Sequence, residues 1–356
     1  DDFQLSVLLD GDTVPINGQL TTVVVVSPAP VSASHTSVQG LGLSGGVAGM
    51  DATFTITAHD EYGNARVSGD DVFSVSITGP DGAGTVTAGV VTPIGGARYS
   101  AVYNLADAGT YSMEVSVGGV SISTAPFVVT IAPAEFDVSQ TEVNGLDVDG
   151  SLTSVAGVER TFVLVAKDGS GNRLETGLDP FSVTMSNGAS ALLVTMDWND
   201  VAHEYTVAFT SNVAATYTTV VTLGGAVLPN MPINTVVSPA AATADNTLLS
   251  GAGLSAAVAG SAVSFAVQVH DGLNNAADAT TTPSVTIDAS ASDVSAVTVA
   301  RTGLGLYVVS YTAWTTGSYA ITVTVDGSDV PTSHSVVVAA GAASAATSVI
   351  LTPCTP

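Results

Sequence analysis

The sequence is short of cations, cysteine and long apolar runs. Among 356 residues there are six Lys and Arg against 31 Asp and Glu, a formal net charge of −25. Neutralising a phosphate backbone takes several cations on one face, so nucleic acid is not expected as a partner. The one cysteine, Cys354, stands in Pro353-Cys354-Thr355, which excludes an intrachain disulfide and a thiolate metal cluster. The longest apolar runs, residues 23–26 and 336–343, fall short of the ~18 to 20 residues that cross a bilayer, so no membrane insertion is expected in this segment. Asp1-Asp2-Phe3 carries neither the basic nor the apolar region of a signal peptide, and the chain reads as a mature or excised piece. Charged residues make up only 10%. Val, Ala, Ser, Thr and Gly fill the deficit and favour strands and turns over helices.

What the sequence has is repetition. Val47-Ala48-Gly49, Phe54, Asp60 and Asn64 recur as Val155-Ala156-Gly157, Phe162, Asp168 and Asn172, and again as Val258-Ala259-Gly260, Phe265, Asp271 and Asn275. A second block, Tyr99, Tyr103, Tyr111 and Gly119, recurs as Tyr205, Phe209, Tyr217 and Gly225, then Tyr307, Tyr311, Tyr319 and Gly327. Such a period identifies structural units before any element is assigned. Within a unit the alternation is that of half-buried strands, as in Thr53-Phe54-Thr55-Ile56-Thr57 and in Tyr111, Met113, Val115 and Val117. Turn signals such as Gly63-Asn64, Gly118-Gly119, Asp168-Gly169 and Asp326-Gly327 separate the runs. About seven short strands in ~105 residues predict an all-β fold of tandem immunoglobulin-like β-sandwiches.

The first unit resembles the filamin-type immunoglobulin repeat almost end to end. The likeness lies in Gly40-Leu41-Gly42-Leu43, Val47-Ala48-Gly49, the run from Ala52 to Asp60, Gly63-Asn64, Gly79-Pro80-Asp81-Gly82, Ala108-Gly109-Thr110-Tyr111, Gly118-Gly119 and Ala125-Pro126-Phe127. The later units depart from it at turns and at the last strand, with Ser186-Asn187-Gly188 and Asp288-Ala289-Ser290 for the Gly79 turn and Ser333-His334-Ser335 for Ala125-Pro126-Phe127. Whole repeats are expected over residues 30–132, 133–238 and 239–340. Residues 1–29 read as the C-terminal strands of a preceding repeat and 341–356 as the first strand of a following one. Leu8-Leu9-Asp10-Gly11 parallels Val117-Gly118-Gly119, and residues 347–351 match 246–250. The joints at Pro133 and Pro239 are short and proline-stiffened, which predicts a rod.

Motifs that carry chemistry lose their structural context. Gly42-Leu43-Ser44-Gly45-Gly46 has the spacing of a nucleophile elbow, which needs a strand-to-helix turn that an all-β chain does not offer. Asp147-Val148-Asp149-Gly150 resembles part of a calcium loop, but Gly145 and Ala156 fall where ligands are required, so it reads as a polar turn. His35, His59, His203, His270 and His334 lack ligand spacing. Tyr99, Tyr103 and Tyr111 could form a sugar-stacking platform, but their recurrence favours core and tyrosine-corner roles. The densest acidic sites offer Asp60, Glu61, Asp197 and Asp200 as metal candidates, with calcium as the cation and hydrated loop carboxylates as the plain alternative.

No catalytic residue and no cofactor other than that calcium is expected, and the chain is read as no enzyme. The leading expectation is a structural segment of a long tandem array forming an extracellular filament, surface hair or surface layer. Its partners would be other copies or filament subunits, with O-linked glycans on a Ser/Thr-rich surface; the chain holds no Asn-x-Ser/Thr sequon. The strong negative charge suits an exposed, salty setting and keeps such an array soluble. Two alternatives stand beside it. One is a calcium-dependent adhesion module. The other follows from the resemblance, which implies a cytoskeletal crosslinker that adds partner peptides at strand edges. The candidate edges are Phe73, Val75 and Ile77; Phe181, Val183 and Met185; and Val285 and Ile287.

Overall fold

Alternating Thr and apolar residues settle most of the chain into strands. In the computed structural model, which describes residues 2–5, 22–79, 86–122, 124–290 and 292–342, nearly every regular element is β. Cys354, the 347–351 strand, the Leu8-Leu9-Asp10-Gly11 parallel and most of the Gly79-Pro80-Asp81-Gly82 turn lie outside the described residues. At the N-terminus β1 (Asp2–Leu5) pairs antiparallel with β2 (Thr22–Val25). The first repeat holds β3 (Ser37–Gln39), β4 (Gly45–Val47), β5 (Ala52–Thr57), β6 (Phe73–Thr78), β7 (Val86–Gly95), β8 (Arg98–Tyr103), β9 (Gly109–Val117), β10 (Val120–Ser121) and β11 (Phe127–Ala132). The second holds β12 (Glu142–Asn144), β13 (Leu152–Val155), β14 (Arg160–Val165), β15 (Phe181–Ser186), β16 (Val194–Asn199), β17 (Glu204–Phe209), β18 (Ala215–Leu223), β19 (Ala226–Val227) and β20 (Ile233–Ser238). The third holds β21 (Ala242–Ser250), β22 (Ala256–Val258), β23 (Ala262–Asp271), β24 (Ser284–Ile287), β25 (Thr298–Gly303), β26 (Leu306–Thr312), β27 (Gly317–Val325), β28 (Ser328–Asp329) and β29 (His334–Ala339).

The described strands exceed seven per repeat because the first strand breaks in two and a glycine hairpin adds a two-residue return. After Gly40, at φ 137°, a 3-10 turn over Leu41–Leu43 separates β3 from β4. A Cβ on Gly40 would stand 2.9 Å from Phe54 Cα, so the crossing needs glycine. Beyond the turn β4 runs parallel to β11 in the other sheet. The third repeat repeats the device at Gly251 and Ala252–Leu254, with β22 parallel to β29. Tyr103 Oη donates to Gly42 O at 2.6 Å, and Tyr311 Oη donates to Gly253 O, which ties each turn to the sheet below. The second repeat has Phe209 at that place and, instead of the 3-10 turn, a turn in which Gly150 N–H donates to Asp147 O.

The chain gathers into two compact units: residues 1–143 with 164–179 and 198–205, and residues 144–163 with 180–197 and 206–356. The first unit contains the whole first repeat. Its strands form one path, β3-β5-β8-β7-β6-β9-β11-β4, with β10 on β9. The link is β7, long enough that Val90–Gly95 follows β8 while Val86–Gly89 follows β6. A Cβ on Gly89 would lie 3.0 Å from Val75, so glycine lets the ladder pass there. The second unit contains the whole third repeat, whose sheets are separate: β21-β23-β26-β25, and β22-β29-β27-β24 with β28 on β27. The second repeat has the same two strand orders, β12-β14-β17-β16, and β13-β20-β18-β15 with β19 on β18.

The alternation reads directly onto burial. Phe54, Ile56, Tyr111 and Val115 sit in the first core, with Phe162, Leu164, Tyr217 and Val221, and Phe265, Val267 and Val323, buried in the others. Tyr319 is half-buried, packed against the third core.

Candidate functional site: the joints between repeats

Every described repeat is entered through Pro-Ala: Pro28-Ala29, Pro133-Ala134 and Pro239-Ala240. Proline fixes one backbone angle, and the alanine N–H then needs an acceptor. It finds one in a carboxylate well along the chain. Ala29 N–H donates to Asp60 Oδ2 at 3.0 Å, Ala134 N–H to Asp168 Oδ2 at 2.9 Å, and Ala240 N–H to Asp271 Oδ2 at 2.8 Å. Each aspartate starts the turn that follows its strand. Its Oδ1 accepts the N–H groups two and four residues on, from Tyr62 and Asn64, Ser170 and Asn172, and Leu273 and Asn275. The asparagine of each turn donates Nδ2 back to Oδ2 at 2.8 to 3.0 Å.

Four donors therefore converge on one carboxylate, and all three aspartates are at most 1% exposed. Bonding to the charged form holds it in that form. The Asn64 side chain, with the backbone N–H groups of Asn64, Ala29 and Tyr62, lowers Asp60 to about 2 against the penalty of burial. At Asp168 and Asp271 burial pushes the carboxyl up, and the same set of bonds outweighs it and leaves both below the ordinary range.

The asparagine faces the other way as well. In the first unit Asn172 Nδ2 donates to Ala106 O at 2.8 Å, and its Oδ1 accepts Ala108 N–H at 2.8 Å. In the second unit Asn275 Nδ2 donates to Asn212 O at 3.0 Å, and its Oδ1 accepts Ala214 N–H at 2.8 Å. One side chain thus closes on a C=O and an N–H of the preceding repeat. That loop is itself held by a tyrosine corner: Tyr111 Oη donates to Asp107 O at 2.7 Å and Tyr217 Oη to Val213 O at 3.2 Å, with Tyr319 Oη on Thr315 O in the third repeat. At the second joint a Cβ on Gly157 would stand 3.1 Å from Leu273, so the turn residue also packs on the preceding repeat.

The structure gives several sequence candidates other work. Both oxygens of Asp60 are engaged by the four N–H donors. Glu61, Asp197 and Asp200 are exposed, and Asp200 accepts Trp198 Nε1 at 3.4 Å. Among the described residues no three His, Cys, Asp or Glu converge as a metal site. Phe73, Val75 and Ile77 are not an open edge: β6 lies between β9 and β7, and the first half of β7 pairs with Val75–Thr78. Their side chains are buried in the core. Phe181, Val183 and Met185 on β15, and Val285 and Ile287 on β24, lie on the end strands of their sheets, but the outer side of β15 is taken up at its end, where Met185 O accepts Leu192 N–H at 2.9 Å and Ser186 bridges Ala191. Ser44 Oγ donates to Leu41 O at 2.9 Å within the 3-10 turn. Asp147 pairs with Arg160 and Asp149 accepts Ser151 Oγ, as a polar turn does. His59 and His270 end equivalent strands, where the second repeat has Lys167 paired with Glu142.

A family model for the filamin/ABP280 repeat matches residues 30–128 and 241–334. The chain belongs to the filamin/ABP280 repeat family. The second repeat of this filamin-type chain falls outside the matched residues yet carries the same Asp168–Asn172 turn and sheet orders. Over 150 residues the chain is 30% identical to the E3 ubiquitin-protein ligase TRIM71 of Xenopus tropicalis, covering 40% of this chain and 18% of that protein's length. The Escherichia coli adhesin FdeC shares the fold, at TM-score 0.57 and 20% identity over 88% of this chain and all of that one. Invasin, a bacterial integrin-binding protein, does so at TM-score 0.50 and 16% identity, covering 90% of this chain and 63% of that one.

The aspartates and asparagines stood out in the sequence as repeat markers, but their role as joints did not. The signal was present in the pairing of each Pro-Ala with an Asp-x-x-x-Asn turn.

Proposed function

We propose that this chain is a structural, non-catalytic segment of a tandem filamin-type array, and that its work is to hold successive domains at restrained angles over a distance. The observation that carries the reading is the joint. A buried carboxylate captures the linker, and the adjoining asparagine captures the previous domain's corner loop, at both internal joints. A hinge meant to swing has no use for a saturated, buried anchor. The likeness to an adhesin and to an integrin-binding protein supports a cell-surface setting, with other copies or surface subunits as partners and O-linked sugars on the Ser/Thr-rich faces. The strong negative charge suits the same place.

Pairs of spin labels on the first and third repeats test this. Narrow distance distributions that broaden in Asn172→Ala and Asn275→Ala are expected; broad distributions in the unmodified chain sink the reading. The reading uses no cation, so millimolar calcium should leave the melting temperature where it is.

A second reading, peptide capture by strand addition, draws on the end position of β24 in its sheet. An array of extended peptides that binds the chain, and is competed by proline substitution at Val285, would favour it.

A further inference from the structure

We propose that the Tyr62–Asn64 turn of the first repeat is a docking face for the tyrosine-corner loop of one more filamin-type repeat, the one that β1 and β2 close. The inference rests on the reading of the joints as restraints. Half of a third joint is already assembled: Asp60 holds Ala29 N–H and Asn64 Nδ2 as its counterparts do. The other half is open. Asn64 is exposed, and its Oδ1 has no hydrogen-bond partner among the described residues, whereas Asn172 and Asn275 accept Ala108 and Ala214 there. Tyr62 is 75% exposed, while Leu273, at the same turn position and packed at Gly157, is 40% exposed.

The register of β1 and β2 identifies the occupant. Tyr111 lies opposite Val129, four residues before Pro133, and Tyr217 lies opposite Thr235, four residues before Pro239. Phe3 lies opposite Val24, four residues before Pro28. Strands β1 and β2 therefore keep the register of a repeat's last strand pair, with Phe3 at the corner-tyrosine position. In both internal joints the N–H comes from three residues before that tyrosine and the C=O from five before it. Counted back from Phe3, both groups fall in the chain that leads into Asp1. The carboxamide of Asn64 thus meets a backbone C=O and N–H two residues apart, and the Pro28-Ala29 tether makes so small a contact sufficient by raising its effective concentration.

The test uses the natural full-length chain, with spin labels flanking the Pro28 joint and, separately, the Pro133 joint. Asn64→Ala should widen the distance distribution across the first and Asn172→Ala across the second, measured where both repeats are still folded, although each variant also loses one donor to its buried carboxylate. Should Asn64→Ala unfold its repeat, Tyr62→Ser, on an exposed side chain, carries the same expectation. Widening at Pro133 without widening at Pro28 overturns this proposal and spares the reading of the joints. No widening at either overturns both. A natural chain with no filamin-type strands leading into Asp1 overturns the proposal outright.

Discussion

Ala134 N–H and Asp168 Oδ2 stand 2.9 Å apart although the linker and the turn are separated by 34 residues of sequence. The carboxylate is buried and its other donors are local. Removing it strands the N–H groups of Ala134, Ser170 and Asn172, which have no second acceptor among the described residues. Asp168→Ala is expected to lower the stability of the second repeat by about 1 to 3 kcal/mol, the usual cost of a buried unsatisfied donor. Trp198 lies in that repeat and Trp314 in the third, so tryptophan fluorescence during denaturation can separate the two transitions. An unchanged Trp198 transition would remove the turn from the account.

The same carboxylates set an acid limit. Asp60, Asp168 and Asp271 all titrate below the ordinary value of 3.8, so the folded chain binds their protons less readily than the unfolded chain. The stabilisation is complete above the unfolded value and disappears as pH falls through the folded one, about 2 for Asp60. Melting temperature should therefore hold steady from neutrality to about pH 5 and drop between about pH 4 and pH 2. In Asp168→Asn the second repeat should lose part of that slope. A drop centred well above about pH 5 would take these carboxylates out of the account.

Tyr103 and Phe209 occupy one position with different consequences. Tyr103→Phe removes the buried bond to Gly42 O and should cost the first repeat about 1 kcal/mol. Phe209→Tyr should gain nothing, because the second repeat has no 3-10 turn to present the carbonyl. Paired denaturation curves check both, and a stabilised Phe209→Tyr would contradict the match between turn and tyrosine.

Two glycines separate conformation from space. Gly49 has φ 73° with open room around an added Cβ, whereas a Cβ on Gly45 would stand 1.9 Å from Thr130 O. Gly49→Ala should cost about 1 kcal/mol from the backbone alone. Gly45→Ala must also push β4 off β11 and should cost several times as much. Similar melting temperatures for the two variants would show that the parallel pairing is dispensable.

How much of this was legible follows from what kind of group makes each contact. Phe54, Phe162 and Phe265 announce the core because burial selects a side chain, and the tyrosine corner shows because its hydroxyl is needed. The partners of Asn172 and Asn275 are backbone groups of Ala106, Ala108, Asn212 and Ala214, and almost any side chain can carry a C=O and an N–H. No residue type marks that end of the joint. The crossing of β7 was hidden for a related reason. Its ladder depends on strand length and on the absence of a side chain at Gly89, so the expected edge at Phe73, Val75 and Ile77 looked identical to the end strands that β15 and β24 provide.

That crossing also decides how the repeats meet a load. Among the described residues of the third repeat the two layers have no ladder in common, so tension can part them by bending loops. In the first, β7 laces one layer to the other, and the layers cannot part until its pairing with β6 or β8 is sheared. Drawn out from its ends, the chain should lengthen in unequal steps, with the laced domain the last to give way.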